Sequence, residues 1–207
     1  MVEGDSAAAR LRIAVMASGS GTTLQAVIDA CENGTLDGEI ILAISNNSAS
    51  GAMLRAHQHD IPSVHLSTRT HTDPESLDQA ITDTLREYSP DIVLLAGYMK
   101  RLGPRALKAY RGRVINTHPS LLPKFGGQGM YGGHVHAAVI EAGEKVSGVS
   151  VHLVDGEYDT GRVLAQHQVD VAADDDAVVL ASRVQSFERP FLIKVLQQIA
   201  AGSIHLS

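Results

Sequence analysis

The chain has 207 residues, 44% of them hydrophobic and 19% charged, enough to bury one sizeable core in a single domain, and no apolar run approaches the length of a membrane span. A net charge of −6 with scattered basic residues argues against a nucleic-acid surface, which needs clustered Lys and Arg to neutralise phosphates. The single cysteine, Cys31, excludes an intramolecular disulfide and a cysteine-rich zinc site, so a cytoplasmic location is expected.

Met1 to Arg10 lack the apolar core of a secretory signal and read as a flexible leader, with one domain expected over 11–207. Short β-branched runs then alternate with helical patterns. Strands are expected at Leu11–Met16, Ile40–Ile44, Val64–Leu66, Ile92–Leu95 and Val114–Ile115, and helices around 22–33, 50–59, 74–88 and 103–110. This rhythm predicts an α/β fold with a mostly parallel, twisted sheet. Asp73-Pro74 is a helix start, with the aspartate as cap and proline at the first helical position. A short helix near 134–142, strands near 146–154 and 162–170 and a long helix near 176–200 complete the chain, and the last two strands predict an antiparallel extension.

The loop Ala17-Ser18-Gly19-Ser20-Gly21-Thr22-Thr23 follows the first strand and opens a helix, where free N–H groups and the positive end of the dipole favour an anion. It lacks the lysine of a P-loop, and Ile44-Ser45-Asn46-Asn47 offers no carboxylate to a dinucleotide ribose, so a phosphate monoester is the better ligand. Taken alone, the glycines are equally consistent with a tight turn. A second glycine-rich loop spans Gly126 to Gly133 and reads as a mobile wall.

Asn116 and His118 lie two residues apart on the fifth strand, so their side chains project to one side and both can donate to a developing oxyanion. A polar cluster from Ser150 to Gly161 follows a later strand, with His152 expected to support the site through a hydrogen bond. The ten histidines show no zinc spacing, and His134 and His136 read as residues of a helix start. Asp174-Asp175-Asp176 reads as a helix cap, Cys31 as packing, and the basic residues from Lys100 to Arg113 as mostly a solvated face.

Four ordered motifs carry a resemblance running from about Arg12 to Ala200: Ser18-Gly19-Ser20-Gly21-Thr22-Thr23-Leu24-Gln25, Leu95-Ala96-Gly97-Tyr98-Met99-Lys100-Arg101-Leu102, Asn116-Thr117-His118-Pro119-Ser120-Leu121-Leu122-Pro123 and Asp155-Gly156-Glu157-Tyr158-Asp159-Thr160-Gly161. Together they resemble the folate-dependent formyltransferases, and among these the branch acting on glycinamide ribonucleotide. The resemblance implies a Rossmann-like formyltransferase fold, 10-formyltetrahydrofolate as formyl donor, the ribonucleotide amine as acceptor, and no metal. It implies Asn116, His118 and Asp159 as catalytic residues and Gly21, Thr22 and Thr23 around the phosphate, with Gln185 and Glu188 also on the ribonucleotide. Met99, Lys100, Arg101 and Leu102 would receive the pteridine, largely through backbone groups, with Asn116 and Asp155 on the same side. The implied partners are small-molecule substrates, with neither nucleic acid nor membrane, and a homodimer is compatible.

Two departures stand out. Pro74 occupies a place where many members carry an arginine that meets the folate's glutamate tail, leaving that contact to Arg69, to another residue or to none. Gly126-Gly127 replaces the family's Pro-Gly. Of the alternatives, a formyltetrahydrofolate hydrolase would be expected to carry an N-terminal regulatory domain, and a methionyl-tRNA formyltransferase an additional C-terminal domain. A non-catalytic nucleotide-binding module would leave Asn116, His118 and Asp159 without a purpose.

Overall fold

In a computed structural model, which describes residues 10–206, one seven-stranded sheet runs in the order β3-β2-β1-β4-β5-β6-β7. The strands are β1 (Leu11–Met16), β2 (Gly38–Ser45), β3 (Ser63–His65), β4 (Ile92–Leu95), β5 (Val114–His118), β6 (Val146–Leu153) and β7 (Val163–Asp170). The helices are α1 (Thr22–Glu32), α2 (Gly51–Gln58), α3 (Pro74–Tyr88), α4 (Pro104–Ala109), α5 (Gly133–Glu141) and α6 (Ala177–Ala200). The expected leader, Arg10 apart, lies outside the described residues. β1 to β5 pair in parallel, while β6 joins β5 and β7 joins β6 antiparallel, so the expected extension is present. β5 runs three residues beyond the apolar Val114-Ile115 pair, because β6 supplies ladder partners for polar residues whose sequence carries no strand signal.

Alternation splits the sheet into two cores. Ile13, Val15, Ile92, Leu94 and Ile115 pack with α1, α2 and α6. Ala14, Met16, Val93, Leu95 and Val114 pack with α3 and α4 on the other face. Since β4 and the later part of β1 are buried on both faces, their apolar stretches read as continuous runs.

Local signals set the helix ends. Asp73 accepts the Ser76 N–H at 2.8 Å with Pro74 following, and Asp176 accepts from Val178 and Val179, both at 2.8 Å. Asp175 instead pairs with Arg183. The start of α4 is capped from a distance: Asp78, buried on α3, accepts the N–H groups of Arg105 at 2.8 Å and Ala106 at 3.1 Å. A Cβ on Gly103 would stand 2.1 Å from the Asp78 Cγ, so that cap requires glycine before Pro104.

Gly148, in the middle of β6, has no room for a side chain: a Cβ would meet the His167 carbonyl oxygen at 2.0 Å. Gly148→Ala is expected to cost about 2 kcal/mol or more through displacement of the β6–β7 ladder. Gly133→Ala, where a Cβ meets nothing within 4 Å, should leave the urea midpoint nearly unchanged. Comparable midpoints for both variants would contradict this packing.

Candidate active site

β5 holds Asn116 and His118 on the face of α3 and α4, and its pairing with β6 sets His152 directly opposite Asn116. At His152 the β6–β7 register shifts, with Val151 opposite Ala165 and His152 opposite Val163, so Leu164 is the extra residue of a bulge. The His152 Nδ1 lies 2.8 Å from the Leu153 carbonyl, which can only accept, so that nitrogen carries the proton. Burial holds the ring's pKa below its ordinary value and keeps it neutral, outweighing the upward pull of that hydrogen bond and of Asp159. The Nε2 lone pair therefore accepts from the Asn116 amide nitrogen at 3.1 Å. This fixes which end of the Asn116 amide faces the ring and leaves its second N–H for a ligand.

His118 donates from Nε2 to the Phe125 carbonyl at 2.7 Å, while its Nδ1 stands 3.4 Å from the Asp159 carboxylate. Both side chains are nearly enclosed, at 4% and 11% exposure, so their attraction is weakly screened. Asp159 accepts the Gly127 N–H at 2.9 Å and reaches within 3.5 Å of His152 Nε2. Its φ of +58° places it in the left-handed region, which Asp and Asn tolerate better than other non-glycine residues. On the way out of this turn a Cβ at Gly161 would fall 1.9 Å from the Leu153 carbonyl oxygen, so only glycine lets the chain pass. The structure thus gathers Asn116, His118, His152 and Asp159 from three segments into one cluster.

Beside them is a cavity of about 90 Å³ lined by Leu95, Leu102, Asn116, His152, Val154 and Asp159, among others. That is well below the roughly 300 Å³ at which small-molecule pockets usually begin. Its wall is drawn in by Arg101, which was expected to contribute mainly backbone. Its guanidinium donates to the Gly156 carbonyl, pairs with Glu157 at 3.5 Å and lies 5.2 Å from the centre of the Tyr158 ring. Lys100 and Tyr98 also border the cavity, and burial pushes the Tyr98 hydroxyl up to about 12. Met99 is exposed, and its backbone N–H is engaged by the Ser18 hydroxyl at 2.8 Å. Asp155 lies on an adjoining groove of about 1040 Å³ that also carries Lys108 and Arg111, and it accepts from Thr160 at 3.0 Å.

The expected ribonucleotide residues occupy different ground. Gly21 (φ +72°) precedes α1, which has no capping side chain, so the N–H groups at Thr22 and Thr23 open the helix as an anion site requires. A Cβ on Gly21 would come 2.6 Å from the Ala52 Cα, so α2 can pack against this loop only because residue 21 is glycine. Glu188 on α6 accepts from Thr117 at 3.0 Å, and Thr117 points away from Asn116 and His118 by strand alternation. Gln185 is exposed one turn earlier on α6. The two residue sets therefore flank β5 from opposite faces of the sheet.

Sequence reasoning missed the Phe125 carbonyl, the Gly127 N–H and the Ser18 hydroxyl, since backbone atoms carry no residue-type signal and Ser18 reads as an ordinary loop serine. His136 is buried on α5, and burial together with the nearby His118 charge keeps its pKa low. Cys31 is half-buried, and burial pushes its thiol up to about 11. Among the described residues no group of three or more His, Cys, Asp or Glu could hold a metal, and no helix is long and apolar enough to cross a membrane.

Residues 11–196 match the formyl transferase family. Over 196 residues the chain is 39% identical to a chloroplastic phosphoribosylglycinamide formyltransferase of Vigna unguiculata, covering 94% of this chain and 62% of that protein, and so less than two thirds of its length. It is 35% identical over 196 residues to the phosphoribosylglycinamide formyltransferase of Escherichia coli K12, covering 95% and 90% of the two chains. The crystal structure of the Bacillus halodurans phosphoribosylglycinamide formyltransferase superposes with a TM-score of 0.83 at 36% identity, covering 91% of this chain and 94% of that one.

Because the folded state holds His152 neutral, an unfolded chain takes up a proton near the ordinary value of 6.5 that the folded chain resists. The stability this provides is complete above about pH 6.5 and is lost as pH falls toward the depressed folded value. His136 acts with the same sign, so the comparison of wild type with His152→Gln isolates the first ring. Urea midpoints between pH 7 and 5 should fall less steeply in the variant, and equal slopes would refute a neutral buried His152.

Proposed function

The chain belongs to the formyl transferase family, and from that premise we propose that it transfers the formyl group of 10-formyltetrahydrofolate to the amine of glycinamide ribonucleotide, a step of purine biosynthesis. The convergence of Asn116, His118 and Asp159 carries this reading. They meet between a cavity of mixed apolar and polar lining and an uncapped helix start on the far side of β5.

The acceptor's phosphate rests on the N–H groups opening α1, with Gln185 and Glu188 facing its sugar and amide. The donor's pteridine enters the cavity beside Leu102 and Val154, and the wall tied by Arg101 withdraws to admit it. The neutral amine attacks the formyl carbon and its lone pair forms the new C–N bond, while the carbonyl electrons move onto oxygen. The free N–H of Asn116 and the ring of protonated His118 stabilise that oxyanion, one such donor contributing on the order of 3 kcal/mol. At 3.4 Å the His118 Nδ1 is not tightly committed to Asp159, so a small pivot of the ring about its bond to the Phe125 carbonyl aims the Nδ1 N–H at an arriving oxygen. Asp159 then takes the ammonium proton, directly or through water, and passes it to the folate nitrogen as the oxyanion re-forms the carbonyl and the bonding pair leaves with that nitrogen. The folate itself activates the formyl group, so the scheme needs no metal. Holding both substrates in attack geometry supplies much of the remaining acceleration.

Tetrahydrofolate release, followed with and without glycinamide ribonucleotide, tests the assignment. Acceptor-dependent release supports transfer, acceptor-independent release selects a hydrolase, and none at all points to a binding module. Asp159→Asn is the cleanest probe of the carboxylate. Asparagine tolerates the same positive φ and keeps an acceptor for the Gly127 N–H, so folding and substrate binding should persist. Turnover should fall at least a hundredfold, and His118→Ala should do likewise. Near-normal rates in the asparagine variant would remove Asp159 from the proton-transfer role.

A further inference from the structure

β1 lies between β2 and β4, so the strand order reverses at β1 and the loops leaving β1 and β4 stand side by side at the carboxyl edge. One residue stitches them together. The Ser18 N–H donates to the Gly97 carbonyl at 3.2 Å, and the Met99 N–H returns a hydrogen bond to the Ser18 hydroxyl at 2.8 Å. The same hydroxyl donates its proton to the Asn46 side-chain oxygen, 2.5 Å away at the end of β2. The Ser18 hydroxyl thus gives up its one proton inside the protein and spends a lone pair on Met99, so it is poorly placed to bind a phosphate. Its position explains it better: three residues before Gly21, where the uncapped α1 begins, and bonded to the first residue of the Met99 to Leu102 wall.

We propose that Ser18 is a positioning residue that couples the two substrate sites. Ordering the α1 loop around an anion fixes Ser18, which holds the Met99 amide and with it the wall of the second cavity; filling that cavity fixes the α1 loop in turn. Each ligand lowers the ordering cost left for the other, which makes their binding mutually favourable. The identity of the ligands rests on the formyl-transfer reading, whereas the coupling rests on the three hydrogen bonds.

Calorimetric titration tests this without turnover. Glycinamide ribonucleotide is titrated into the protein in the absence and in the presence of saturating tetrahydrofolate, which lacks the formyl group, and the order is then reversed. The wild type should bind each ligand about fivefold or more tightly when the other is present. Ser18→Ala, which leaves the Met99 N–H and the Asn46 oxygen without their partner, should bind each ligand alone but bring that ratio close to one. Ser18→Thr, which keeps the hydroxyl, should retain most of it. Should the alanine variant fail to fold, Asn46→Ala removes the acceptor of the Ser18 proton and should reduce the ratio in the same direction. A ratio near one in the wild type, or one unchanged by both Ser18→Ala and Asn46→Ala, overturns the proposal. Binding of neither ligand to the wild type overturns the formyl-transfer reading and this proposal with it.

Discussion

The antiparallel register of β5 against β6 is the constraint on which the site depends. It sets His152 opposite Asn116 and Ser150 opposite His118, so one ladder fixes both functional side chains of β5 and the ring that orients the first of them. Because side chains alternate with a period of two, a slip of one residue would turn Asn116 and His118 into the opposite core and bring Thr117 to the cluster. The apolar neighbours Val114 and Ile115, each buried in a different core, hold the register against that slip.

The electrostatics of the cluster follow from where protons can go. Two backbone carbonyls, of Leu153 and Phe125, each take one ring proton, and each thereby decides what the other ring nitrogen can do. His152 becomes a neutral acceptor that orients an amide, whereas His118 in its protonated form carries its positive charge beside Asp159. Two imidazoles with the same intrinsic chemistry are thus given different tasks by burial and by neighbouring carbonyls. The arrangement costs stability, since it buries polar groups and holds Asp159 in a left-handed conformation, a pattern common at functional sites.

Strand order explains where a crevice can open for the two ligands of the proposed transfer. The reversal at β1 opens a crevice at the carboxyl edge, with the α1 loop on one side and the wall after β4 on the other. Asp78 steadies that wall from α3 by capping α4, and Arg101 ties it to the turn at Gly156. The wall is therefore fixed at its root and latched at its tip. Such an element can shift as a unit while the four-residue cluster keeps its geometry.

By itself the amino-acid sequence determined the elements and their faces. Apolar runs give the buried parallel strands, Asp73-Pro74 and Asp176 give helix starts, and alternation places Asn116 and His118 on one side of β5, because all of these depend on neighbours within a few residues. The three-residue extension of β5, the capping of α4 by Asp78, the contact of Arg101 with Gly156 and the hydrogen bonds of Ser18 to Asn46, Gly97 and Met99 were decided only by the tertiary structure. So was the approach of Asp159 to His118, which local pattern does not specify although family likeness implied it. Each of these joins segments far apart in the chain through groups whose partners are chosen by strand order and loop packing. A hydrogen bond between distant residues has no period and no local propensity, so it becomes visible only once the sheet has set which loops lie together.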